Sequence, residues 1–68
     1  MNREERPIVF TVTMITRNFG GLFGIKTTDS RANNWHRIDI GVIELFTTMQ
    51  EISEEFNDKG YAVLFEVD

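Results

Sequence analysis

Residues 7–16 alternate along an extended chain, with Ile8, Phe10, Val12 and Met14 on one face, and they are rich in β-branched side chains. That pattern predicts a strand, and Pro7 suits its start, where no ladder donor is required. Asn18-Phe19-Gly20-Gly21 then offers residues that accept positive φ, so residues 22–27 read as the returning arm of a β-hairpin. Residues 28–34 have no periodicity and many turn formers, and are expected to form a loop. From Val42 the period changes. Val42, Leu45, Phe46, Met49, Ile52 and Phe56 recur at spacings of three and four, which predicts an amphipathic helix as far as Asp58, closed by a left-handed Gly60. Residues 61–67 follow as a last strand, with Tyr61, Val63, Phe65 and Val67 facing one way.

Residues 35–40 fit two patterns. A backward extension of the helix places Trp35 and Ile38 on its apolar face with Asn34 as cap, but leaves Ile40 on the polar face and Gly41 mid-helix, at a cost of about 1 kcal/mol relative to alanine. A strand with His36, Ile38 and Ile40 on one side is the better fit. The expected architecture is α+β: a small, antiparallel-containing sheet of three or four strands with one amphipathic helix packed on it, in the order ββ(β)αβ. Residues 1–68 form one domain, with 1–6 expected to fray. One helix covers one sheet face, yet Val9, Ile15, Ala62 and Leu64 put apolar side chains on the other. A homodimer or an obligate partner is the expected cover, and the alternative is that the 28–34 loop folds over it.

At 68 residues and 41% apolar the chain holds a thin core, and it has no cysteine to supply disulfides or thiolate ligands. No segment approaches the roughly 20 apolar residues of a membrane span, and the mixed-sign start is a poor signal peptide, so a soluble, cytoplasmic protein is expected. The net charge of −4 conceals a division. Residues 1–37 hold six bases against three acids, whereas residues 38–68 hold eight acids against Lys59, a net −7. Such a half can steer a basic partner.

The acids of the helix are the first candidate site. At 100° per residue Glu44, Glu51, Glu55 and Asp58 fall within about 60° of one another, over about 21 Å, roughly opposite the apolar stripe. Only Lys59 interrupts this ridge, and it is expected to lack the Glu-to-Lys pairing that relieves most charged helix faces. Glu51 and Glu55 repel each other, and Asp58 opposes the macrodipole. The functional reading is a surface that meets a basic groove in another protein; the plain alternative is a solvated helix face.

The second candidate is the apolar hairpin tip, Phe19, Leu22 and Phe23 among three glycines, which either inserts into a partner or folds inward. It is no phosphate loop, since no Lys-Ser/Thr pair and no helix follow Gly24. Trp35 with Arg37, and Arg31 nearby, suits a protein interface better than nucleic acid, for which the bases are too dispersed. His36 is the only histidine, with no second His or Cys to share a metal, and Glu54 and Glu55 project apart, so neither catalysis nor a metal or other cofactor is expected.

The sequence therefore points to a non-enzymatic, acidic protein-binding module. An inhibitor or adaptor would act by blocking a partner's surface, in the way that small phage-encoded inhibitors act on host nucleases or polymerases, an analogy of class and not of motif. No direct contact with nucleic acid or membrane is expected. A self-assembling structural or regulatory domain is the alternative.

Overall fold

The computed structural model describes residues 6–68. The N-terminal fraying expected from the sequence concerns residues that lie almost wholly outside that range; Arg6, the one inside it, gives its carbonyl to Arg31 Nη1 at 2.9 Å. Four strands, β1 (Ile8–Thr16), β2 (Leu22–Lys26), β3 (His36–Ile40) and β4 (Val63–Val67), and one helix, α1 (Val42–Asp58), follow in the order β1-β2-β3-α1-β4. The fold is α+β, as the residue pattern implies. In the sheet the strands lie in the order β3-β2-β1-β4. The β1/β2 and β2/β3 pairs are antiparallel, while β4 runs parallel to β1, with Ile8 opposite Val63 and Val12 opposite Val67.

Period-two alternation in β1 sends Ile8, Phe10 and Val12 into the core beneath α1, where they meet Ile25, Ile40, Leu45, Ile52 and Phe56. Phe10 is the hub. Its ring centroid lies 5.8 Å from those of Trp35, Phe56 and Phe65, within the range at which aromatic pairs add about 0.5–1.5 kcal/mol beyond their buried area.

Two sequence expectations are corrected by the packing. The inward row of α1 is Leu45, Thr48, Ile52 and Phe56, whereas Val42 and Phe46 are exposed and Met49 is only partly buried. On a 100° wheel the buried row is centred about 50° from the stripe that hydropathy alone selects. The helix is rolled so that Leu45, Ile52 and Phe56 pack into the core, and on the flank this brings round Arg37 of β3 reaches the buried Thr48 hydroxyl at 3.5 Å. The second correction concerns β3. Phe23 lies opposite Ile40 and Ile25 opposite Arg37, so β3 carries one residue more than β2 over the same span. Asp39, at φ 60°, takes up the extra residue in a bulge. The alternation breaks there, so Ile40 points into the core while Ile38 stays exposed.

The 28–34 loop is closed by a 3₁₀ turn at Ser30–Ala32, which Asp29 caps by accepting from Arg31 N at 2.9 Å. Arg31 folds back on the same carboxylate, with Nε to Oδ1 at 2.9 Å and Nη2 to Oδ2 at 2.6 Å. Its remaining nitrogen reaches Arg6 O, and its guanidinium lies 5.3 Å from the Tyr61 ring centroid. This clamp fastens the loop to the entrance of β1, with Ala32 buried in the core on the helix side. The loop therefore does not cover the outer sheet face, where Val9, Ile15, Ile38 and Leu64 remain exposed.

Candidate partner-binding groove

Rolling the helix moves the acidic ridge. Measured from the centre of the buried row, Glu44, Glu51, Glu55 and Asp58 lie about 95° around the helix, on a flank and not opposite the core as the apolar stripe suggests. That flank faces β3. Glu44 pairs with Arg37 Nη2 at 2.8 Å, both side chains being about half exposed. Glu51 and Glu55 line a groove of about 220 Å³ with Trp35, Arg37, Thr48, Ile52 and Phe56. Trp35, Ile52 and Phe56 supply its apolar part, Arg37 and Thr48 line it too, and Glu51 and Glu55 contribute two carboxylates one helical turn apart.

Residues far apart in the sequence, Trp35 and Arg37 from one candidate patch and Glu51 and Glu55 from the other, thus converge. Asp58 lies beyond the groove, near the helix end, and is exposed. The expected absence of relief along the ridge is overturned. Besides the Arg37 pair, Lys59 Nζ lies 3.8 Å from Glu55 Oε2, an i,i+4 contact that the spacing of these two residues already contains. Exposed pairs of this kind contribute only about 0.2–1 kcal/mol each and leave much of the field in place. Glu51 has no cation among the ion pairs of the described residues.

Trp35 is held edge-on against Phe10 at an interplanar angle of 76°, which fixes its ring at the groove. Arg31, adjacent to Trp35 in the sequence reading, is instead taken up by the Asp29 clamp. That guanidinium, donating hydrogen bonds to the Asp29 carboxylate, holds its pKa below the ordinary value of 3.8.

The hairpin tip divides. Phe19 is 92% exposed and sits at φ 60°, a left-handed conformation unusual for a bulky residue. Leu22 and Phe23 are half-buried, and Phe23 packs against the core, so of the three only Phe19 projects outward. His36 is exposed opposite Lys26, and among the described residues no group of three or more His, Cys, Asp or Glu side chains lies close enough to hold a metal. No helix of the described residues is long and apolar enough to cross a membrane.

Two features escaped the sequence reading. Thr48 joins the groove because it faces β3, and its polar side chain hid it from a hydropathy pattern. Val42 and Phe46, displaced from the core by the roll, form an exposed apolar flank on α1 together with Ile43, which lies outside the predicted stripe. No family model, curated protein or solved structure matches this chain; its own geometry carries the functional reading.

Proposed function

We propose that this protein is a non-enzymatic binding module, an inhibitor or adaptor, whose groove accepts an arginine or lysine side chain from a partner protein. The supporting observation is the convergence of Trp35 with Glu51 and Glu55 on one groove. At about 220 Å³ it is smaller than the roughly 300–1,000 Å³ of ordinary small-molecule sites, and so fits a side chain better than a whole metabolite. A cation placed there stacks against an indole and relieves the Glu51/Glu55 repulsion. Adding about 0.5–2 kcal/mol for the cation–π contact to about 0.2–1 kcal/mol for each of two partly exposed ion pairs gives about 1–4 kcal/mol, a range that reaches the size of a binding hot spot. A partner whose basic surface otherwise holds nucleic acid has the matching chemistry, and occupying that surface would block it.

Argininamide serves as the probe, with Trp35, the only tryptophan, as reporter. A saturable change in indole fluorescence and in the indole N–H cross-peak is expected, in the millimolar range appropriate to a single side chain. It should weaken with added salt and vanish in a Glu51→Gln/Glu55→Gln variant of unchanged fold. No response, or an equal response in the double variant, refutes the proposal.

A further inference from the structure

The two edges of the sheet are finished differently. Strand β3 is interrupted by the Asp39 bulge and carries His36, Arg37 and Asp39, the devices by which proteins keep an edge from pairing. Strand β4 carries a single charge, Glu66, and no bulge. Its register with β1 runs unbroken from Val63 to Val67, without proline, lysine or bulge. Ile8 N donates to Ala62 O at 2.9 Å and Asp68 N to Val12 O at 2.8 Å, so the even-numbered residues turn their backbone groups toward β1. Val63, Phe65 and Val67 therefore turn theirs toward the open edge, where among the described residues no further strand lies. Apolar side chains flank that edge on both faces: Val67 is 85% exposed on the helix side, and Leu64 is 47% exposed on the outer face beside Val9.

We propose that two copies of this chain join through β4, edge to edge and antiparallel, about a two-fold axis at Leu64. The register follows from charge. With Leu64 opposite Leu64 of the second copy, Glu66 meets Ala62, and Asp68 extends toward the segment holding Lys59 and Gly60, so no acid faces an acid. An axis at Phe65 instead makes the two Glu66 side chains diagonal neighbours, close enough to repel. In the chosen register Val63 and Phe65 exchange backbone hydrogen bonds with Phe65 and Val63 of the second copy, and the exposed Val67 gains cover beyond them. The pairing joins the two sheets into one of eight strands and packs Leu64 against Leu64 of the second copy at the rim of the apolar outer face. It lies at the opposite edge from the Trp35 groove, so it stands or falls independently of the side-chain binding proposed above.

Light scattering coupled to gel filtration at about 100 µM tests it, since a pairing this short belongs at the weak end of stable interfaces. The wild-type chain is expected to be dimeric, and Leu64→Lys, which sets two like charges face to face, monomeric with an unchanged circular dichroism spectrum. The chain has no cysteine, so single substitutions report the register. Leu64→Cys places two sulfurs at a non-hydrogen-bonded pair with Cα atoms about 4.5 Å apart, suited to a disulfide, whereas two Glu66→Cys sites lie about 13 Å apart. Oxidation should link the first variant and not the second. A wild-type monomer at that concentration, a Leu64→Lys dimer, or cross-linking of Glu66→Cys as readily as Leu64→Cys overturns the proposal.

Discussion

Phe46 and Phe56 are the same residue type on one helix, and they separate the observed roll of α1 from the orientation that hydropathy selects. Phe56 is 3% exposed and lies 5.8 Å from the Phe10 ring, whereas Phe46 is 65% exposed. Replacing each with leucine keeps the chemistry constant and the helix propensity favourable. At Phe56 the change removes an aromatic pair of about 0.5–1.5 kcal/mol and leaves an imperfect fill, for a total loss of about 1–2 kcal/mol. At Phe46 little buried area is at stake, and the loss should stay within about 0.5 kcal/mol. In a domain of this size those figures correspond to a fall in Tm of about 4–16 °C for Phe56→Leu and at most about 4 °C for Phe46→Leu. Urea titration followed by Trp35 fluorescence, with a parallel melt by circular dichroism, reads both. Equal losses, or a larger loss at Phe46, would mean that α1 lies with its other flank inward, which turns Glu51 and Glu55 away from Trp35 and removes the groove.

Three further outcomes follow from local geometry. The Asp29 carboxyl is held below its ordinary pKa of 3.8 chiefly by its hydrogen bonds from the Arg31 side chain. The associated stability is present above that value and is lost as pH falls through the lower folded value; acid titration should show Asp29→Asn less sensitive than wild type below about pH 4. Gly41 caps α1 in an extended conformation, φ −74°, with no side-chain bond and open space around its Cα. Gly41→Asp should therefore raise stability by about 0.5–1 kcal/mol in a urea titration. Phe19→Asn relieves a left-handed bulky residue at the hairpin tip, and a gain of about 0.5–1 kcal/mol is expected by the same measurement; a loss would show that the exposed ring contributes to folding.

The elements legible in the sequence are those set by local period and punctuation. Strand β1 was marked by its alternation, α1 by its three- and four-residue spacing, and the helix stop by Gly60, which sits at φ 93°. What the sequence concealed was fixed by contacts between distant residues. The roll of α1 places Thr48 inward beside Arg37, and a threonine gives no hydrophobic signal for an inward position. The bulge at Asp39 depends on pairing with β2, so a strict alternation through His36, Ile38 and Ile40 was the natural but incorrect extrapolation. Arg31 looked free for a partner because its acceptors include the backbone of Arg6 and Pro7, on a different strand entrance. Of the candidate site, residue identities were visible in Trp35, Arg37, Glu51 and Glu55, but their convergence was not.

The parallel pairing of β1 with β4 also governs how the chain acquires its structure. The first strand of the fold is an interior strand of the sheet, yet one of its two neighbours is the fold's last element in chain order. A nascent chain can close the β1/β2 hairpin early, but Phe10 has no complete surroundings until Phe56 and Phe65 have both been synthesised. Folding should therefore be all-or-none and comparatively slow for so short a polypeptide, since closing the long connection from β1 to β4 must precede most of the gain in contacts. Until that closure, the exposed hairpin is the species that proteases and chaperones meet.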